Sequence, residues 1–281
     1  VRAKAKVMAS DTQPGGVPPA GPPDADPPLY KFGSLDERVQ SLTHSVGLII
    51  AAFTFGILLV IFAGVFFRLT GIISNTDAPP AWINALITGL QFFGFYVVCL
   101  LYICYISDNR NLINIDLPSL RDVGWIIIGF VSLIILLLVV NWIMSFLNIS
   151  PAENAAITQG QQQPVYFLYL IPIAFLLNGP AEELLFRGLV QGLFRRAYGI
   201  LPGVFFSAVL FGVVHFVALI QSNPSTVELF STLVVISVLG VVLGLIYEWS
   251  QNLVVPMVVH ALFNAMQFGM QYLRTTGQLP S

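Results

Sequence analysis

Charged residues are what this sequence has least of: Asp, Glu, Lys and Arg make up only 9% of its 281 residues. Soluble domains carry roughly 25% charged residues, so this inventory cannot cover a water-exposed surface, and a soluble enzyme is excluded. The net charge of -2 offers no basic surface to a phosphate backbone, which excludes a nucleic-acid-binding protein. Two cysteines cannot build a disulfide framework.

Apolar residues are abundant instead, at 56% of the chain. A bilayer core of about 30 Å is crossed by about 20 helical residues, and apolar runs of that length recur from Val46 onward. The runs show no strand-like alternation, which disfavours a barrel. We therefore predict an all-α polytopic transmembrane helix bundle of about seven spans, near 46–68, 82–106, 124–147, 165–194, 202–221, 228–248 and 252–273.

The fourth apolar run is interrupted by Asn178, Gly179 and Pro180. Proline suits the first turn of a new helix, and Asn178 or Gly179 would then be its cap. The sequence thus predicts either a kinked helix or two half-helices at this place. A split helix would make eight spans.

We expect four parts along the chain. Residues 1–29 are rich in Pro, Gly and small polar residues, so they are predicted to form a disordered tail. Residues 30–123 are predicted to hold the N-terminal transmembrane helices and residues 124–275 a second membrane domain. A short C-terminal tail follows at 276–281.

Ionisable groups at membrane depth cost several kcal/mol each on insertion scales, so they are kept where they have a role. The first three predicted helices hold essentially none between their ends. The second half of the chain holds five, on three separate helices: Glu182, Glu183, Arg187, His215 and His260. Three helices of a bundle could enclose a single site with these side chains.

The spacing of these residues predicts different roles. Glu183 and Arg187 are an i,i+4 pair in the favourable order, which we assign mainly to structure. Glu182 lies about 100° round the helix from Glu183 and needs another partner, and a carboxylate in an apolar pocket suits a general base. Phe211 precedes His215 by one helical turn, so its ring can orient the imidazole.

His260 and Asn264 share one helix face and together present two hydrogen-bond donors. Such a pair can stabilise the oxyanion that forms when a carbonyl is attacked. Together with Glu182 and His215 acting on a water, these residues predict hydrolysis of a peptide bond. No Ser or Cys nucleophile with a nearby base competes.

Two other interpretations use the same residues. Glu182, His215 and His260 could bind a zinc ion through one carboxylate and two imidazoles, leaving a position for water, although the usual HExxH motif is absent. Buried acids and histidines also serve in transporters, or could pack a membrane scaffold without enzymatic activity. Here the polar residues fall on one half of the chain, whereas a transporter usually shows related halves.

Three segments resemble, in order and spacing, the motifs of the CPBP family of intramembrane proteases, also called Abi. The family includes the CAAX prenyl endopeptidases of the Ras-converting type. The segments are GPAEELLFRG (179–188), FGVVHF (211–216) and HALFNA (260–265). They fill the EExxxR motif with Glu182, Glu183 and Arg187, the FxxxH motif with Phe211 and His215, and the HxxxN motif with His260 and Asn264.

The resemblance covers roughly residues 120–275 and implies that 124–275 is a catalytic membrane domain. It implies an intramembrane endopeptidase in which Glu182 and His215 activate water while His260 and Asn264 hold the oxyanion. The expected partners are membrane lipid and a membrane-associated protein or peptide substrate, prenylated or not. The expected location is the cell membrane of a prokaryote. Family members have also been called metalloproteases, so the zinc alternative stays open.

Overall fold

The computed structural model describes residues 28–73, 78–105 and 113–279. All regular structure in these ranges is helical, which confirms the predicted all-α fold. Eight helices follow one another: α1 Leu35–Leu69, α2 Ala81–Tyr105, α3 Leu120–Phe146, α4 Ala155–Gln162, α5 Val165–Tyr198, α6 Ile200–Ser222, α7 Thr226–Ser250 and α8 Val254–Thr275.

Among the described residues, six helices are long and apolar enough to cross a membrane by length and composition: α1, α2, α3, α5, α6 and α7. Helix α8 corresponds to the last predicted span and has 22 residues, but it carries polar side chains such as His260, Asn264 and Gln267. Most of its residues are buried or half-buried against other helices. The predicted number of about seven spans is reached only when α8 is counted with the six.

Three of the long helices begin with the same local device, a serine followed three residues later by an acid. Ser34, Ser119 and Ser225 each accept a hydrogen bond from a backbone N–H of the first turn, and the acidic side chain binds back to the serine N–H. These capping boxes satisfy two of the backbone donors that an α-helix leaves free at its start. They therefore fix where α1, α3 and α7 begin.

Helix α5 is the centre of the bundle. Every residue from 181 to 194 is buried, because α1, α2, α6, α7 and α8 all pack against this helix. Burial on all sides keeps the ionisable side chains of this stretch of α5 away from lipid. Its side chains form the main core with residues of the surrounding helices, including Leu48, Ala52, Phe95, Leu185, Phe186, Leu189 and Phe211.

Helix α5 is continuous, so the predicted split at Asn178 does not occur. The interruption is taken up by two π-helical stretches, Ala174–Asn178 and Leu184–Gln191, on either side of the α-helical turn Gly179–Glu183. Asn178 keeps helical backbone angles, and its side chain makes no capping hydrogen bond. The predicted cap is therefore wrong for Asn178. Such wider turns occur frequently at functional sites.

Of the predicted tail 1–29, only Pro28 and Leu29 lie within the described residues. Their carbonyls accept hydrogen bonds from the N–H groups of Ile200 and Leu201, both at 3.1 Å. The backbone of Lys31 bonds in turn to the Tyr198 carbonyl at 2.8 Å. The segment before α1 is thus held against the junction of α5 and α6.

Helices α1 and α2 approach each other closely at two glycines, Gly56 and Gly94. A Cβ atom on Gly94 would lie 2.7 Å from the Cα atom of Gly56, so the backbone would have to move. Overpacking of this kind costs about 1–3 kcal/mol, and we expect Gly94→Ala to lower the melting temperature of the detergent-purified protein.

The matched control is Gly47→Ala in α1, where a Cβ atom would meet nothing within 4 Å. Alanine is the better helix former by about 1 kcal/mol, so this variant should melt at an unchanged or slightly higher temperature. Equal destabilisation by both substitutions would contradict the close contact.

Candidate active site

Helices α5 and α8 meet backbone to backbone at Gly179. A Cβ atom at this position would lie 3.1 Å from both the Met257 carbonyl oxygen and the Ala261 backbone nitrogen. The missing side chain lets the two helices approach, as small residues do in membrane helix pairs. The approach sets the acidic turn of α5 opposite His260 of α8.

Glu183 is the most deeply engaged of the predicted residues. Its Oε1 atom accepts hydrogen bonds from Arg187 at 2.9 Å and from His260 Nδ1 at 2.7 Å. The side chains of Glu183 and Arg187 are completely buried. The predicted i,i+4 pair is thus present, and Glu183 has in addition a partner on α8 that its spacing along α5 did not indicate.

Arg187 joins this pair to two further helices. Its second terminal nitrogen donates to the Gly240 carbonyl of α7 at 3.1 Å. Its guanidinium carbon lies 4.4 Å from the centroid of the Phe211 ring of α6, in a cation–π contact. One buried cation therefore touches α5, α6 and α7 at the same level.

Phe211 lies between the two site histidines. Its ring centroid is 4.8 Å from that of His215 and 5.9 Å from that of His260, with both pairs arranged edge to face. The predicted contact with His215 is present. The contact with His260 is an addition, and it gives the phenyl ring a part in orienting both imidazoles.

Glu182 lies on the neighbouring face of α5 with a different set of partners. Its Oε1 atom accepts from Asn178 Nδ2 at 3.1 Å, and its Oε2 atom lies 3.7 Å from His260 Nε2. Asn178 Oδ1 accepts from Asn264 Nδ2 at 2.6 Å. Glu182, His260 and Asn264 are therefore brought together as predicted.

Asn178 was missed as a site residue, although a signal for it exists. It precedes Glu182 by four residues, the same spacing that relates Phe211 to His215. Asn178 has no charge, and its place before Gly179 and Pro180 suggested a helix cap instead. Its side chain is buried in the site.

His215 ends the first stretch of α6, Ile200–Val214, and is half-buried. Its Nδ1 atom lies 2.7 Å from the Phe211 carbonyl oxygen. Because a carbonyl can only accept, Nδ1 carries the hydrogen and the neutral ring keeps a lone pair on Nε2. Among the described residues, no hydrogen bond joins His215 to Glu182 or His260.

The predicted zinc donors can be tested against this arrangement. Within the described ranges, no group of three or more His, Cys, Asp or Glu side chains is placed to hold a metal ion. His260 Nδ1 is bound to Glu183 and Glu182 Oε1 to Asn178, which leaves His260 Nε2 and Glu182 Oε2 facing each other at 3.7 Å. As they are placed, the side chains of Glu182, His215 and His260 do not converge on one metal position.

The buried position of Arg187 predicts a large effect on stability. Arg187→Ala leaves Glu183 without its cation in a dry site, and losing one partner of a buried ion pair costs about 3–5 kcal/mol. We expect a clear fall in melting temperature and in the yield of folded protein.

Arg121→Ala is the control for this prediction. Arg121 is exposed and donates to the Trp249 carbonyl at 3.1 Å, so its loss should change the melting temperature little. Similar melting temperatures for the Arg187 and Arg121 variants would show that the buried pair is not needed for the fold.

Comparison with known proteins agrees with the geometry. The sequence model of the Rce1-like family, described as type II CAAX prenyl endopeptidase Rce1-like, matches residues 164–266. The chain is also 26% identical over 165 residues to the uncharacterized protein YpbD of Bacillus subtilis, which covers 58% of this chain and 76% of that protein. No solved structure matches.

The matched range contains all three motifs and every site residue named above. Together with six helices that are long and apolar enough to cross a membrane, this match supports a multi-pass membrane protein that resembles the CAAX proteases. The resemblance that the motifs indicate is confirmed for residues 164–266, the part of the chain that the Rce1-like family model matches.

Proposed function

We propose that this protein is an intramembrane endopeptidase that hydrolyses a peptide bond of a membrane-associated protein. Water activated by Glu182 and His215 would attack the carbonyl, and His260 and Asn264 would stabilise the oxyanion. The proposal is supported chiefly by one observation. Glu182, His260 and Asn264 come from two helices and share one buried site, with the carboxylate 3.7 Å from the imidazole.

Glu182 is suited to accept a proton. Asn178 holds one carboxylate oxygen, while the other lies at 3.7 Å from His260 Nε2, too far for a hydrogen bond. A water between these atoms and the substrate would give its proton to Glu182 as its oxygen bonds to the carbonyl carbon. The same proton would then pass to the amine as the C–N bond breaks.

His215 would assist at the water from the opposite helix. Its Nδ1 hydrogen is held by the Phe211 carbonyl, so its Nε2 lone pair is available to accept a hydrogen bond. When an imidazole and a carboxylate accept hydrogen bonds from the same water, a lone pair of the water oxygen can face the carbonyl carbon.

The oxyanion donors follow from the same contacts. Asn264 uses one Nδ2 hydrogen on Asn178, and an amide nitrogen carries a second. His260 donates from Nδ1 to Glu183, so it can donate from Nε2 when the ring is doubly protonated. In that state the two glutamates, Arg187 and His260 form a cluster of zero net charge, which suits an apolar surrounding.

The resemblance to the family supports one class of substrate. Type II CAAX prenyl endopeptidases are named for proteins that carry a prenylated cysteine near the C-terminus. We propose prenylated C-terminal peptides as substrates, presented from the lipid bilayer, and a prokaryotic cell membrane as the place of action.

The catalytic assignment predicts which substitutions abolish cleavage. In liposomes that present a farnesylated peptide with a C-terminal CAAX sequence, Glu182→Gln should lower kcat by about 10²–10⁴-fold, since it removes a general base. His215→Ala and His260→Ala should also be severely impaired, with cleavage followed by mass spectrometry of the product.

The chain provides a matched control in its third histidine. His44 lies in α1, where its Nδ1 atom bonds to Tyr102 at 2.8 Å, outside the site. His44→Ala should cleave the peptide at close to the wild-type rate. Wild-type rates in Glu182→Gln would reject its role as the base, and the same peptide without the farnesyl group tests the substrate class.

Metal removal separates catalysis by glutamate and histidine from the zinc alternative. Glutamate and histidine catalysis predicts that cleavage continues after exhaustive chelation, with metal content checked by mass spectrometry of the same sample. Loss of cleavage that zinc restores, and magnesium does not, would instead support the zinc alternative.

A further inference from the structure

The side chain of Asn178 bridges the two halves of the site. It donates to Glu182 on its own helix at 3.1 Å and accepts from Asn264 on α8 at 2.6 Å. Asn178 and Glu182 are each only 8% exposed, so water does not readily replace these bonds. The base and the oxyanion donor are thereby joined in a chain of two hydrogen bonds.

The direction of these two hydrogen bonds is set by the donor and acceptor groups involved. An ionised carboxylate can only accept, so Asn178 must turn its NH₂ group toward Glu182. Its oxygen then faces α8, where it can only accept, so Asn264 must present its own NH₂ group. The charge on Glu182 therefore determines which end of the Asn264 amide faces Asn178.

The backbone explains why Asn178 can reach both partners. It is the last residue of the π-helical stretch Ala174–Asn178, immediately before the glycine that lets α5 and α8 touch. Its side chain thus lies at the contact between the helices, one turn before Glu182. The Asn178 amide carries an acceptor and a donor on the same carbon, so one side chain can bind both partners.

We propose that Asn178 is a positioning residue. It couples the ionised state of Glu182 to the orientation in which Asn264 can bind the oxyanion. When Glu182 is ready to accept a proton, the bridge holds an N–H of Asn264 toward the reacting carbonyl. The kinetic part of this inference rests on the proposed function.

Two substitutions separate the two bonds. Asn178→Ala removes both, whereas Asn178→Asp keeps an oxygen for Asn264 and loses the donor to Glu182. Misplacement of a catalytic group costs on the order of 10²-fold, so we expect kcat for the farnesylated peptide to fall by about 10- to 100-fold in both variants. KM should stay within about twofold of wild type, because the bridge does not bind the substrate.

The control for a merely structural role is Gln191→Ala. Gln191 ends the other π-helical stretch, is also buried, and donates to Glu248 at 2.9 Å and to the Gly244 carbonyl at 3.2 Å, outside the site. This variant should lose stability but keep kcat. An equal fall of kcat in the Gln191 and Asn178 variants would overturn the proposal.

A double-mutant cycle with Asn264→Ala tests the bridge itself. If Asn178 acts through Asn264, the double variant Asn178→Ala/Asn264→Ala loses much less kcat than the product of the two single losses. Fully multiplicative losses, or wild-type kcat in a folded Asn178→Ala, would overturn the proposal.

The same cycle measured in thermal unfolding requires no activity. Coupled shifts in melting temperature support the bridge even if the wild type cleaves no farnesylated peptide, an outcome that rejects only the proposed function. Additive shifts in melting temperature would overturn the proposed bridge, whatever the activity of the variants.

Discussion

The structure depends on how three ionisable side chains are accommodated in an apolar interior. Glu183 lies between Arg187 and His260, at 2.9 and 2.7 Å, and none of the three could be left alone there without a large cost in free energy. Two of the three side chains, Glu183 and Arg187, lie on α5, and His260 lies on α8. Glu183 thus fixes both the position of α8 and the orientation of the His260 imidazole.

The same constraint explains why α5 occupies the centre of the bundle. Besides Arg187, it contributes Gln191, which donates to the backbone of α7, and the carbonyl of Phe186, which accepts from Ser207 of α6 at 2.7 Å. Polar contacts between helices supplement van der Waals packing where lipid offers no hydrophobic gain. A central helix with such contacts on several sides has its rotation and depth specified, and Glu182 is placed with it.

Much of this could be predicted from the sequence because the signals are local. Apolar runs indicated the long helices, and Glu183 with Arg187, or Phe211 with His215, indicated contacts one turn apart. The contact of Glu183 with His260 joins residues 77 positions apart, and its geometry depends on how closely α5 and α8 approach. That distance is set by the absent side chain of Gly179, which no pattern along one helix reveals.

Other features lacked a strong signal altogether. Helix α4, Ala155–Gln162, is short and rich in glutamine, so neither charge nor an apolar run marked it. The π-helical turns of α5 replace the break that Gly179 and Pro180 suggested, because the surrounding helices hold the segment in helical form. Asn178 could not be predicted as a site residue for a related reason, because an uncharged amide does not stand out in an apolar sequence as a charged residue does.

The double attachment of α8 to α5 limits how a substrate can enter. Parting these helices would break the His260–Glu183 and Asn264–Asn178 bonds together, and α7 is tied to α5 through Arg187 in the same way. Helix α6, by contrast, ends its regular stretch beside the site at His215 and continues in short turns to Ser222. In the proposed reaction, a peptide that enters from the lipid beside His215 would leave the hydrogen bonds of α5 to α7 and α8 intact.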